Sequence, residues 1–143
     1  MVIQMLLGEL LTIKYGKNQS KVVADSGYPI YGTGGIISYS KDYLYDGPSI
    51  LIGRKGSIEN VQYVDKPFWC VDTTFYTIVN EDLVIPKYLF YKLSLIDFKI
   101  YDEGTTIPSL RTDTLNKIKI KIHSYEMQQH IVDIGGILWK LNK

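Results

Sequence analysis

One cysteine and two histidines in 143 residues leave little material for several kinds of chemistry. Cys70 cannot form an internal disulfide, and with His123 and His130 it does not make the clustered ligand set of a zinc site. No Ser-His-Asp or Cys-His spacing suggests nucleophilic catalysis. Cys70, between Trp69 and Val71, reads as a small core residue, and the two histidines read as a strand end and a helix surface. Charge is balanced as well: 16 basic and 15 acidic side chains give a net charge of +1. Divided after Cys70, the chain carries seven basic against six acidic residues, then nine against nine. A protein that holds nucleic acid only through phosphates shows a basic patch or tail, so this balance argues against non-specific binding and leaves sequence-specific binding open. No apolar run approaches the ~18 residues of a membrane span. The start MVIQMLLGEL lacks a basic n-region and a cleavage site, so the expected location is cytoplasmic, with no membrane partner.

What is present describes a folded chain. Hydrophobic residues at 45% and charged residues at 22% fit one globular domain large enough to bury a core without disulfides or metals. Twelve tyrosines stand beside four phenylalanines, which favours β-structure and supplies rings buried at one end and hydrogen-bonded at the other. The densest stretch is residues 31–57, YGTGGIISYSKDYLYDGPSILIGRKGS: loop, short strand, turn, buried strand and basic loop in succession.

In chain order, Met5, Leu6, Leu10 and Ile13 have helix-like spacing and predict a short opening helix or turn, weakened by Gly8. Residues 14–27 read as a loop around a brief Val22-Val23 strand. The run SILIG at 49–53, closed by glycines, predicts a strand buried on both faces. Residues 60–64 and 74–79 predict further strands. Pro86 opens a helix with Leu89, Phe90, Leu93 and Ile96 on one face. Residues 103–110 form a turn and loop, after which Thr112 is placed to cap a single helical turn over 113–116. The alternation KIKIKIH at 117–123 predicts a half-exposed strand, and Ser124 caps a final helix. There Met127, Ile131, Ile134, Leu138 and Leu141 step by four and three, the a/d seam of a coiled coil, beside Trp139. Gly135-Gly136 weakens that helix, which needs either to pack on the body or to pair with another helix; the seam favours pairing. The fold class is therefore α/β (α+β): a mixed, irregular β-sheet globule flanked by short helices over residues 1–123, then a C-terminal coiled-coil-type helix over 124–143.

The glycine motifs do not make nucleotide sites. Gly32-Thr33-Gly34-Gly35 lacks the third glycine of a dinucleotide fingerprint, and Gly53-Arg54-Lys55-Gly56-Ser57 lacks the frame of a P-loop. Asp97 and Lys99 with an upstream Asp82 are a loose match to a metal-dependent nuclease, and a charged helix end explains them equally. What stands out is three polar loops, at residues 31–38, 54–57 and 104–111. Their candidate contacts to nucleic acid are Tyr31, Thr33, Arg54, Lys55, Ser57, Thr105, Thr106, Ser109 and Arg111. Arginine or lysine grips guanine edges, while hydroxyls and glycine amides suit phosphates. The plain alternative for each residue is a solvated turn.

The succession YPIYGTGGI at 28–36, YLYDGP at 43–48 and IGRKGSI at 52–58 strongly resembles the target recognition domain of specificity subunits of type I restriction-modification systems. The likeness continues through Pro67-Phe68-Trp69, DTTFY at 72–76, GTTIPSL at 104–110 and the helix start at 126–131. The resemblance implies a non-catalytic α/β globule, without a cofactor, that reads one half of a bipartite double-stranded DNA target. Its partners would be the methyltransferase (modification) subunit and, in the full complex, the restriction subunit. Full members carry two recognition domains and two long helices, whereas this chain has one domain and about twenty residues of helix. It therefore reads as a half subunit able to act as a homodimer through the C-terminal helix, with Met127, Ile131, Ile134, Leu138 and Leu141 as the dimer or partner contacts. The alternative is a protein-interaction module that binds or sequesters a methyltransferase without reading DNA.

Overall fold

The computed structural model describes the backbone of residues 2–141 and the side chains of residues 2–135. Where helical spacing predicts an opening helix, the chain forms a strand β1 (Val2–Leu6), one helical turn α1 (Leu7–Leu10) and a strand β2 (Leu11–Tyr15). Leu7 and Leu10 are fully buried, but of the predicted helical face only Leu10 lies in that turn: Met5 and Leu6 belong to β1 and Ile13 to β2, with Leu6 38% exposed. The Glu9 carboxylate accepts from the Leu6 N–H at 2.8 Å and closes that turn. The strands on either side are dictated by partners distant in sequence, which overrides a short local periodicity.

The remaining strands are β3 (Val23–Ala24), β4 (Tyr28–Gly32), β5 (Gly35–Ser40), β6 (Ser49–Gly53), β7 (Val61–Val64), β8 (Trp69–Cys70), β9 (Thr74–Val79) and β10 (Lys119–His123). Among the described residues they make three sheets: β1-β10, β2-β9-β6-β7 and β3-β5-β4-β8. The helices are α2 (Pro86–Ser94), α3 (Thr112–Asn116) and α4 (Tyr125–Leu141), with a 3-10 turn at Phe98–Tyr101. Thr112 is the first residue of α3 rather than its cap; Arg111 holds the cap position without a side-chain bond. No described helix is long and apolar enough to cross a membrane.

The SILIG run is the centre of the fold. All five residues of β6 are buried. Successive side chains of a strand point to opposite faces. Ile50 and Ile52 accordingly enter the main core with Leu7, Phe75, Tyr88, Leu89 and Phe98. Leu51 enters a second cluster with Val64, Phe68 and Cys70. Only Ile52 and Gly53 pair directly with β9. Farther along, side chains replace the ladder: the Thr77 hydroxyl accepts from the Ile50 N–H at 3.0 Å and donates to the Ile50 carbonyl at 2.9 Å. Ser49 reciprocates, donating to the Thr77 carbonyl at 2.7 Å and accepting from its N–H at 2.9 Å.

The last helix docks on the body. Ser124 Oγ accepts from the Met127 N–H at 3.3 Å, as a cap does. Gln128 is 1% exposed. Its amide oxygen accepts from the Ile85 N–H at 2.9 Å, and its nitrogen donates to the carbonyls of His123 and Leu83 at 3.0 and 3.3 Å. Ile131 packs on the main core, and a Cβ at Gly135 would sit 3.3 Å from the Tyr91 ring. The heptad seam is thus divided: Ile131 faces the body, while Met127 and Ile134 are 45% and 43% exposed. The side chains of Leu138, Trp139 and Leu141 lie outside the described residues.

Candidate functional site

In an antiparallel sheet the end of one strand lies beside the start of its neighbour. The order β2-β9-β6-β7 therefore brings the loops after β2, before β9 and between β6 and β7 to a single end. Arg54 fastens them. The backbone N–H groups of Arg54 and Lys55 donate to the Thr73 carbonyl at 2.8 and 3.2 Å. The Arg54 guanidinium donates to the Asp72 carbonyl at 2.7 Å and lies 5.1 Å above the Tyr15 ring.

The loop at 104–111, remote in sequence, is stitched to the same place. Lys55 and Ser109 form an antiparallel bridge. Gly56 N–H donates to the Pro108 carbonyl at 2.9 Å, and Leu110 N–H to the Arg54 carbonyl at 2.9 Å. Asp102 shapes this loop, accepting from the N–H groups of Ser109 and Gly104 at 2.9 and 2.8 Å. Those bonds, from Ser109 first and then Gly104, hold the exposed Asp102 carboxyl below its ordinary range. Gly104 is required by close approach, since a Cβ there would lie 1.8 Å from the Ile107 carbonyl.

The β4–β5 hairpin reaches the site through its backbone. Gln62 donates to the Gly32 carbonyl at 2.9 Å and Asn60 to the Thr33 carbonyl at 3.3 Å. Both donors lie in or just before β7, so the hairpin turn is attached to the loop that carries 54–57. Residues 31–38, read from the sequence as a loop, are instead the facing ends of β4 and β5 around a turn at Thr33-Gly34, because Tyr31 and Gly32 pair with Ile36 and Gly35. The structure joins the loops at 54–57 and 104–111 directly and this hairpin through Asn60 and Gln62.

The nine candidate side chains are not equivalent in exposure. Lys55, Ser57, Thr105, Thr106 and Arg111 are exposed. Thr33 and Ser109 are half-buried, and Ser109 has its backbone committed to Asp102 and Lys55. Arg54 is half-buried and held by Asp72 and Tyr15. Tyr31 packs edge-on to Phe68 at 6.2 Å, and burial, followed by the nearby Asp65, pushes its hydroxyl up from the ordinary tyrosine range. Asp102, Asn60 and Gln62 organise these loops and were not among the candidates. Asp102 has a sequence signal, an aspartate two residues before a glycine, which is the pattern of an Asx turn. Asn60 and Gln62 carry none, because their partners are main-chain carbonyls about thirty residues away.

Two other readings of single residues have plain structural explanations. Asp97 accepts from the Lys99 N–H at 3.1 Å and caps the 3-10 turn. Cys70 is buried, and desolvation pushes its thiol up to about 12, away from thiolate chemistry.

Residues 4–135 match the family model described as type I restriction modification DNA specificity domain. The chain is 27% identical over 135 residues to the type I restriction enzyme EcoprrI specificity subunit of Escherichia coli, covering 90% of this chain and 33% of that protein. It thus spans about a third of the length of that curated relative. Among solved structures, its fold is similar to the type I restriction-modification S subunit from M. genitalium, with a TM-score of 0.83 at 19% identity, covering 98% of this chain and 39% of that one. It is also similar to the HsdS subunit from Thermoanaerobacter tengcongensis, with a TM-score of 0.76 at 14% identity and coverage of 98% and 38%.

Proposed function

Since the chain belongs to the family of type I restriction-modification DNA specificity domains, we propose that it is a non-catalytic module reading one half of a bipartite double-stranded DNA target. The observation that carries this reading is the joined pair of loops at 54–57 and 104–111. Two segments fifty residues apart are bridged at Lys55 and Ser109, so the exposed side chains of Lys55, Ser57, Thr105, Thr106 and Arg111 are presented on a fixed backbone. Fixed donors of this kind suit base edges and phosphates together, and they need no large net charge. Arg54, already engaged by Asp72 and Tyr15, serves chiefly to hold the loops in register.

Recognition alone changes nothing in DNA, so the module acts with a methyltransferase (modification) subunit that modifies adenine, and with a restriction subunit in the full complex. The recognition body covers 1–123 and the partner helix 124–143. The second half-site is read by a second copy, paired through the C-terminal helix, or by a separate recognition domain. Co-expression with the adenine methyltransferase subunit of a type I system, followed by mapping of methylated adenines, tests the reading. A bipartite methylated motif is expected, palindromic if two copies pair. Arg111→Ala and Lys55→Ala should weaken methylation, and an arginine that reads a guanine should cost roughly 1–3 kcal/mol and relax one position. Unchanged methylation in both variants refutes the site. Co-purification with the methyltransferase but no methylation of any sequence favours the module that binds a partner without reading DNA.

A further inference from the structure

We infer that the loop following β2, residues 16–22, is a fourth DNA-contacting segment that grips the phosphate backbone through Lys17 and Lys21. This rests on the DNA-reading function proposed above. The loop leaves the same end of the β2-β9-β6-β7 sheet as residues 54–57. It is tied to them through Tyr15, whose ring lies under the Arg54 guanidinium.

Its backbone is held at nearly every step. Gly16 N–H donates to the Thr74 carbonyl at 3.0 Å, and Lys17 N–H to the Cys70 carbonyl at 2.9 Å. The Lys17 carbonyl accepts from the Trp69 indole at 2.9 Å. Asn18 accepts from the Ser20 N–H at 2.8 Å, and the Gln19 carbonyl accepts from Val22 and Val23 at 2.9 and 3.0 Å. A Cβ at Gly16 would lie 2.0 Å from the Val71 carbonyl, so only glycine lets the two loops run this close. The outcome is a rigid backbone from which the side chains of Lys17 and Lys21 project into solvent.

Two further facts point to a phosphate chain. Lys17, two residues past the end of β2, joins Arg54 and Lys55 at one end of a sheet, and Lys21 follows in the same loop, in a protein whose net charge is only +1. The hydrogen bond that holds Arg54 at Asp72 is accepted by the main-chain carbonyl, a neutral partner. Lysine is a point charge suited to phosphate oxygens, and a pre-ordered loop loses little freedom on binding.

The test is the salt dependence of binding, measured by fluorescence anisotropy on the chain assembled with its methyltransferase subunit. The probes are a duplex carrying the mapped target and a duplex of unrelated sequence. Each phosphate contact contributes about 0.9 to the slope of log affinity against log salt. Lys17→Gln/Lys21→Gln should reduce that slope by about 2 and weaken both duplexes by the same factor, leaving the methylated motif unchanged. Lys119→Gln/Lys121→Gln on β10 is the control for net charge. Equal slope changes in the two pairs, or none in the first, overturns the inference. If Lys55→Gln/Arg111→Gln lowers the slope while the loop variant does not, the loop fails and the DNA reading stands. If no variant lowers it, the DNA reading fails too.

Discussion

The hydroxyl of Thr77 is a point at which a single substitution should loosen the central sheet. It is fully buried, and it both accepts from Ile50 N–H and donates to Ile50 C=O. Thr77→Val keeps the shape and removes both bonds, leaving two buried main-chain groups unpaired. Each such group costs about 1–3 kcal/mol, so the loss is about 2–6 kcal/mol against a typical total of about 5–15. Thr77→Ser keeps the hydroxyl and removes one methyl, which costs on the order of 1 kcal/mol. Urea unfolding followed by tryptophan fluorescence measures both, since Trp69 lies in the adjoining sheet. Thr77→Val should lower the urea midpoint several times more than Thr77→Ser, with unchanged m-value. A Val variant within about 0.5 kcal/mol of the parent, or one equal to the Ser variant, refutes the bridging role. The consequence reaches the site, because β6 and β9 lead directly into residues 54–57 and 71–73.

Other outcomes follow from the same geometry. Gln128→Ala removes three hydrogen bonds at a buried position, so amide exchange should accelerate in α4 and at Ile85, with a global loss of about 2–4 kcal/mol by denaturation. Cys70, buried with its thiol pushed up to about 12, should resist iodoacetamide at pH 8 in the native protein and react once the chain is unfolded in urea. Asp102 has its folded value lowered by the Ser109 and Gly104 amides. Its contribution to loop order is therefore complete above the ordinary carboxylate range and disappears as pH falls through the lowered value. Exchange protection at Gly104 and Ser109 should vanish in acid, and Asp102→Ala should remove it already at neutral pH.

Much of this fold is legible from the chain because several signals are local. A glycine-bounded apolar run marks β6, Pro86 marks the start of α2, and strict alternation marks β10. The opening segment misleads because its apolar spacing fits a helix, while the pairing of Val2–Leu6 with β10 is set by residues about 120 positions away. At the site, the loops at 54–57 and 104–111 are visible as polar stretches with glycine, while the stretch at 31–38 reads as a loop because its glycines hide the hairpin of β4 and β5. The joining of the first two at Lys55 and Ser109 is not visible, since that contact depends on the sheet order. Arg54 illustrates the limit. A basic residue after a glycine suggests a reader of bases, and only the fold shows it spanning Asp72 and Tyr15.

Under the proposed function, the final helix raises the question of how the body that reads DNA would set a distance. If the helix fixes the separation of two half-sites, a freely hinged attachment would spread that separation over many values, and only a rigid joint gives a defined spacer. The chain has such a joint. Gln128 is clamped to main-chain groups from two segments, before α2 and at the end of β10. One turn later Ile131 packs on the core, and at the next turn Gly135 meets Tyr91. A glycine that weakens an isolated helix by about 1 kcal/mol here permits close contact with α2, so its local cost is offset by docking. Gln128→Ala/Ile131→Ala, which removes the three clamping hydrogen bonds and the core contact of the helix, should tilt or release the helix while leaving the loops at 54–57 and 104–111 intact. Methylation mapping should then show an unchanged half-site with a broadened spacer. An unchanged spacer would refute the rigid joint, and a changed half-site would mean that the helix and the loops are not separable.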